Sequence, residues 1–282
     1  MHYQNTLYYY NRMGYNPAAT GVPLPGMEQG AALTLLGRYQ WMGIEGAPRM
    51  AGLSYQNYFE SFKSGIGATL VSDQLGPITS SWIDVSYAFQ MDLGESLRLR
   101  IGVNGGVRQN RLSPNWIYNT FNGEDPILPG DVRTVLAPSL GAGLYLTDAN
   151  DKFFVGLSGQ DLLEPSIAGL TLQPLTSDSR IPRSFFLMGG YRFDFGVDGR
   201  SSLTPSVMLR TDGIMPPQAD VSVRYTYKPI VLGLNYRFHN DSFSGILGFN
   251  VSDRTFLGYA YDYTLSPLNS QRDVNSHEII LT

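Results

Sequence analysis

Between Arg254 and Thr264 the chain reads RTFLGYAYDYT, and its residues sort by parity. Leu257, Tyr259, Tyr261 and Tyr263 form one series; Phe256, Gly258, Ala260 and Asp262 form the other. Successive side chains of a β-strand point to opposite faces. The stretch therefore predicts a strand with one oily, tyrosine-ended face and one face of mostly small or charged residues. The same period of two recurs throughout, while helical periodicity is nearly absent. It predicts about fourteen strands, at 30–42, 49–58, 64–73, 78–91, 95–111, 138–147, 151–159, 183–195, 200–210, 217–227, 229–239, 243–252, 254–263 and 274–282. Most are near the roughly 9–11 residues that a tilted strand needs to cross a bilayer.

Alternation alone fits two architectures: a soluble sandwich whose oily face covers a core, and a membrane barrel whose oily face meets lipid. The connections separate them. Short turns follow even-numbered strands, at Asp92–Gly94, Asp148–Asn150, Gly196–Gly199, Lys228–Pro229 and around Asp253. Longer or more elaborate links follow odd-numbered strands, at Gly43–Pro48, Gln74–Pro77, Leu112–Ala137, Gln160–Pro182 and Thr264–Asp273, with Asn240–Asp241 as the short exception. Bacterial outer-membrane barrels have short periplasmic turns and long outer loops, whereas a sandwich has no reason to sort its loops by parity. The expected fold is all-β, an antiparallel transmembrane β-barrel over 30–282, led by an N-terminal periplasmic or plug segment over 1–29. An even strand count places both termini on the periplasmic side.

The arginines indicate which face meets lipid. Ile83, Val85, Tyr87, Phe89 and Met91 oppose Asp84, Ser86, Ala88 and Gln90; Leu97, Leu99, Ile101, Val103 and Val107 oppose Arg98, Arg100, Asn104 and Arg108. Further on, Val221, Val223, Tyr225 and Tyr227 oppose Asp220, Ser222, Arg224 and Thr226, and Leu232, Leu234, Tyr236 and Phe238 oppose Gly233, Asn235, Arg237 and His239. An arginine facing hydrocarbon at the bilayer midplane costs about 2–4 kcal/mol, so the apolar series is assigned to lipid. The tyrosines near strand ends match interfacial aromatic belts. The expected lumen-lining set is Arg38, Asp84, Arg98, Arg100, Arg192, Asp220, Arg224, Arg237 and Asp262, with Arg108, Arg210, Asp194 and Glu278 beside it. Opposite charges pairing across a narrow lumen favour a filled barrel; water solvating them in an open channel is the alternative.

Composition agrees. Of 282 residues 16% are charged, below the roughly 25% usual for soluble domains, and 12% are aromatic, with 18 tyrosines, 14 phenylalanines and 31 glycines. Cysteine is absent and the net charge is -4, which excludes thiolate metal sites and gives no reason to expect a nucleic-acid partner. No run of roughly 18 apolar residues marks a membrane helix. No basic n-region followed by an apolar h-region opens the chain, so a signal peptide is expected to have been removed.

Candidate chemistry is sparse. The three histidines, His2, His239 and His277, form no zinc-binding motif, and no nucleophile elbow or phosphate loop is present. The run GVNGGV (102–107) lies inside a strand pattern, where glycine allows a bend or close packing. A hydrolase reading would rest on His239 and His277 near the outer rim with Asp241 and Asp273; ordinary rim histidines are the simpler reading. No enzyme, cofactor or metal is expected.

Five stretches carry a family resemblance: NPAATG (16–21), RYQWMGIEGAPR (38–49), DQLGP (73–77), LGYAYDYTLSPL (257–268) and SHEIIL (276–281). In this order they resemble the PorP/SprF family, outer-membrane barrels associated with type IX secretion in Bacteroidetes. The family pattern continues past SHEIIL to a terminal aromatic, so a final strand ending at Thr282 is expected to be truncated or divergent. The resemblance implies a non-catalytic barrel that supports secretion or surface retention of cargo, including adhesins used in gliding. Its implied partners are outer-membrane lipid, cargo with a C-terminal sorting domain, and a periplasmic type IX lipoprotein or peptidoglycan-associated component. A passive transporter or porin with a charged lumen is the alternative. Residues expected to contact partners, or to plug the periplasmic mouth, are Tyr8, Tyr9, Tyr10, Tyr15, Asn16 and Pro17. On the outer loops Trp116, Tyr118 and Phe121 are added, as an apolar protein-binding surface or equally as an inward-folded cap on the lumen.

Overall fold

The computed structural model describes residues 4–27, 29–113, 131–170, 179–195, 200–239, 242–265 and 274–282. Its fifteen strand segments make fourteen strands, because Phe193–Phe195 resumes Ser184–Tyr191 across a break at Arg192. They are β1 (Ala32–Met42), β2 (Arg49–Phe59), β3 (Ser64–Leu75), β4 (Ile78–Leu93), β5 (Leu97–Leu112), β6 (Arg133–Asp148) and β7 (Phe153–Gln160). The second half consists of β8 (Ser184–Tyr191 with Phe193–Phe195), β9 (Ser201–Thr211), β10 (Gln218–Tyr227), β11 (Ile230–Phe238), β12 (Ser242–Ser252), β13 (Thr255–Thr264) and β14 (Asn275–Leu281). Each pairs antiparallel with its neighbours in sequence, and β14 pairs with β1 from Leu35↔Leu281 to Met42↔Asn275. The sheet is therefore a closed barrel with no free edge.

Parity of the side chains sets inside and outside. Ile83, Val85, Tyr87 and Phe89 of β4 are exposed on the outer surface while Trp82, Ser86, Ala88 and Gln90 are buried inside. In β13 Leu257, Tyr259, Tyr261 and Tyr263 face outward, and Phe256, Ala260 and Asp262 are buried. Outward aromatics gather at both ends: Tyr191, Phe193, Phe195, Tyr225 and Tyr227 where the short turns lie, and Phe238, Phe243, Tyr261 and Tyr263 where the long links lie. These two levels are called the turn end and the loop end below.

Three details differ from the pattern reading. β6 starts at Arg133, five residues before the expected 138. Pro138 sits at an outward position opposite Val107, inside the ladder. β3 and β4 run on to Leu75 and from Ile78, so their link is the two-residue turn Gly76–Pro77 rather than a longer loop. Inside the barrel the wall is also more apolar than expected: Phe154, Phe186, Met188, Met208, Phe256 and Ile280 all point inward. What they pack against is the chain's own N-terminal tract.

Candidate functional site in the plugged lumen

Residues 4–27 traverse the barrel interior. Gln4 lies at the loop end, donating from Nε2 to Oε1 of Gln218 at 2.8 Å, and Leu24 and Met27 reach the turn end beside Arg254 and Thr282. The path is built from three one-turn 3₁₀ helices, Tyr8–Tyr10, Arg12–Gly14 and Pro17–Ala19. The last has local causes: Pro17 presets the first helical φ, and Asn16 Oδ1 accepts from the Ala18 N–H at 2.9 Å.

The tract is seated differently along its length. Around Asn16 to Gly21 its backbone lies directly on the wall. Asn16 Nδ2 donates to the Leu144 carbonyl at 2.9 Å, and Ser158 Oγ donates to the Tyr15 carbonyl at 2.7 Å. Thr20 Oγ1 donates to Ser86 Oγ at 2.9 Å, and Arg100 Nη1 donates to the Thr20 carbonyl at 3.2 Å. This approach requires glycine in the wall: a Cβ on Gly102 would overlap the backbone of Pro17 and Ala18, and one on Gly65 would overlap the Thr20 carbonyl. The glycine of GVNGGV at 102 thus serves close packing.

Around Tyr8 to Tyr15 the contact is through rings. Tyr10 stacks on Phe256 with centroids 4.1 Å apart and planes 12° apart, Tyr9 packs on Phe154 at 5.7 Å, and Tyr15 meets Phe186 edge-on at 5.5 Å. Tyr8 Oη is 3.0 Å from Ser206 Oγ. The Arg12 guanidinium bonds to Tyr145 Oη and lies 5.1 Å from the centre of the Tyr9 ring and 5.3 Å from that of Phe154, an arrangement that holds a buried cation by ring faces. With exposures between 0% and 9%, Tyr8, Tyr9, Tyr10 and Tyr15 have almost no surface left for an external partner in this conformation. Their rings meet the barrel's own wall, and Asn16 and Pro17 do the same.

Near the loop end a buried charge cluster holds the start of the tract. Glu278 accepts the backbone N–H groups of Thr6 and Leu7 at 2.9 and 2.8 Å, and Arg38 Nη1 at 2.8 Å. Asp262 accepts from Arg38 Nη2 at 2.6 Å and from Thr6 Oγ1 at 2.8 Å. Arg237 Nε donates to Asp220 at 2.6 Å, and Arg237 Nη1 lies 3.8 Å from Asp262. Of the residues assigned to the lumen from sequence, Arg38, Asp220, Arg237 and Asp262 meet here.

The others are dispersed. Arg100 bridges Thr20 and Gln90 Oε1, Arg224 covers the Tyr9 ring at 3.6 Å, and Asp84 is half-buried and accepts from Ser139. Arg98 is half-buried near the turn end, and Arg192 pairs with Asp194 there at 3.0 Å. Trp116, Tyr118 and Phe121 lie outside the described residues. The pattern reading missed three contributors: Arg12, Tyr145 and Asp161, whose carboxylate pairs with Arg108 at 3.1 Å. Tyr145 carried a signal, a large ring on an inward parity among glycines. Asp161 opens a loop and carried none.

Neither histidine of the hydrolase reading meets a carboxylate among the described residues. His277 Nδ1 lies 2.6 Å from Tyr259 Oη on the outer surface, and His239 is exposed just past β11; Asp241 and Asp273 lie outside the described residues.

The model of a family described as type IX secretion system membrane protein PorP/SprF matches residues 2–282. The chain belongs to this family. Its five family-like stretches meet in the plugged lumen and at its rim. NPAATG seats the tract on the wall, while Arg38, Asp262 and Glu278, from three other stretches, form the cluster that grips Thr6 and Leu7. DQLGP joins the Arg38 stretch through the Gly76 N–H to the Gly46 carbonyl at 2.9 Å.

Among solved structures, the PorP/SprF barrel is similar to the toluene transporter TbuX of Ralstonia pickettii, with TM-score 0.54 and 12% identity, covering 96% of this chain and 92% of that one. It is also similar to the CymD monoaromatic hydrocarbon channel, with TM-score 0.56 and 12% identity over 96% and 91%. Identities this low show a shared fold. A search of curated proteins found no match.

Proposed function

We propose that this type IX secretion barrel works as a closed, non-catalytic docking platform in the outer membrane, with turns toward the periplasm and loops at the cell surface. The observation that carries the reading is the tract through the lumen: a chain held by buried ion pairs, stacked rings and backbone contact occupies the path that a pore would need. Loop-end contacts then fall to exposed apolar tips such as Ile214 and Met215, 72% and 55% exposed, where a secreted adhesin-like cargo would be held through its C-terminal sorting domain. At the turn end Phe62 is 73% exposed, on the side where a periplasmic lipoprotein or peptidoglycan-associated component would bind.

The alternative is a passive transporter or porin. Planar-bilayer recording of the full chain separates the two. The platform predicts no steady openings, together with co-purification of a cargo sorting domain that is lost when Ile214 and Met215 are changed to Ser. Steady, large conductance from the full chain would establish the porin.

A further inference from the structure

The plug does not fill the lumen evenly. On the side walled by β8 to β12 a cavity of about 330 Å³ opens at the turn end, with the rings of Tyr9 and Tyr10 on its plug side. Among its described lining residues Arg192, Arg200, Arg224 and Lys228 are basic, and Asp194 alone is acidic. That carboxylate is already shared, 3.0 Å from Arg192 Nε and 3.2 Å from Lys152 Nζ. Arg200 is itself partnered and Arg192 shares Asp194, so the surplus rests on Arg224 and Lys228 and leaves the described lining positive inside a chain whose net charge is -4.

Arg224 is central. It is 2% exposed, its Nη2 donates to Ser206 Oγ at 3.0 Å, its face lies on Tyr9, and its buried Nε has no hydrogen-bond partner. The register adds donors: Thr204 stands opposite Arg224 and Ser202 opposite Thr226, so their hydroxyls line the same cavity. On the other flank Gly233 faces Arg224, and a Cβ there would crowd Arg224 Cγ at 3.1 Å. A buried guanidinium, cationic side chains at the rim and a set of hydroxyls suit an oxyanion carrying more than one charge. The aromatic floor lowers the local dielectric and strengthens each contact.

We infer that this cavity is a binding site for a phosphate-type polyanion entering from the turn end. The assignment does not depend on which way the barrel faces or on whether it conducts. The test uses the folded full chain in zwitterionic detergent at fixed ionic strength, titrated calorimetrically with inorganic pyrophosphate. A parallel arm uses vesicles of cardiolipin, whose headgroup carries two phosphates, against vesicles of phosphatidylcholine.

Saturable binding is expected, weakened about ten-fold or more by Arg192→Gln with Lys228→Gln, the scale of one lost charge-assisted hydrogen bond. Arg49→Gln, at the loop end, leaves it unchanged. Both variants keep heat-modifiable migration, since these side chains stand at the rim. Pyrophosphate binding assigns a soluble ligand, and double-variant-sensitive binding to cardiolipin alone assigns a lipid headgroup. No saturable binding in either arm, or binding that the double variant leaves intact, overturns the site.

Discussion

Two sectors of one lumen wall hold the same tract in opposite ways. Across β3 to β7 the inward positions include Gly65, Gly102 and Gly143, and the tract's backbone rests on the sheet's backbone. Across β8 to β11 the inward positions include Met188, Met208, Ser206 and Arg224, and away from the loop end the tract meets this sector through its rings. In the first sector the tract closes on the wall at Gly65 and Gly102; the second keeps a cavity. Glycine in the wall thus makes a seat, and larger side chains leave a chamber, although both satisfy the same alternating pattern.

Breaking the loop-end grip has the largest expected effect. Glu278→Ala removes the acceptor for two backbone N–H groups and one partner of Arg38. Loss of one partner from a buried ion pair costs about 3–5 kcal/mol, to be read as a drop in urea midpoint in detergent; an unchanged midpoint would mean that the cluster does not hold the tract. Gly102→Val attacks the glycine seat by overpacking, at about 1–3 kcal/mol. The wall should still form while the tract is displaced, so bilayer recordings should gain openings absent from the unmodified chain. A closed Gly102→Val barrel would show that backbone contact is not what seats the tract.

Asn16→Ala removes the cap on Ala18 together with the tie to Leu144, and about 0.5–2 kcal/mol is expected from the cap. Its readout is faster protease cleavage within residues 4–22.

How much of this was legible follows from which interactions obey a period. Strands and their faces do, so Tyr259 could be placed outward and Asp262 inward from spacing alone. The tract does not: three 3₁₀ turns of three residues each give no repeating apolar stripe, and nothing local distinguishes a tract inside the barrel from a linker beneath it. Its tyrosines announced that they needed a surface, but not whose. Pairing is equally silent, since inward parity puts Arg38 and Arg224 in the same class although one meets two carboxylates and the other a ring. The wall glycines were readable as close packing, yet their partner lies some eighty residues away in the case of Gly102 and Pro17.

Glu278 stands on β14, Arg38 on the neighbouring β1, and Thr6 and Leu7 on the tract between them. One carboxylate therefore clasps the seam of the ring and the object inside it, so whatever loosens that seam also loosens what it encloses.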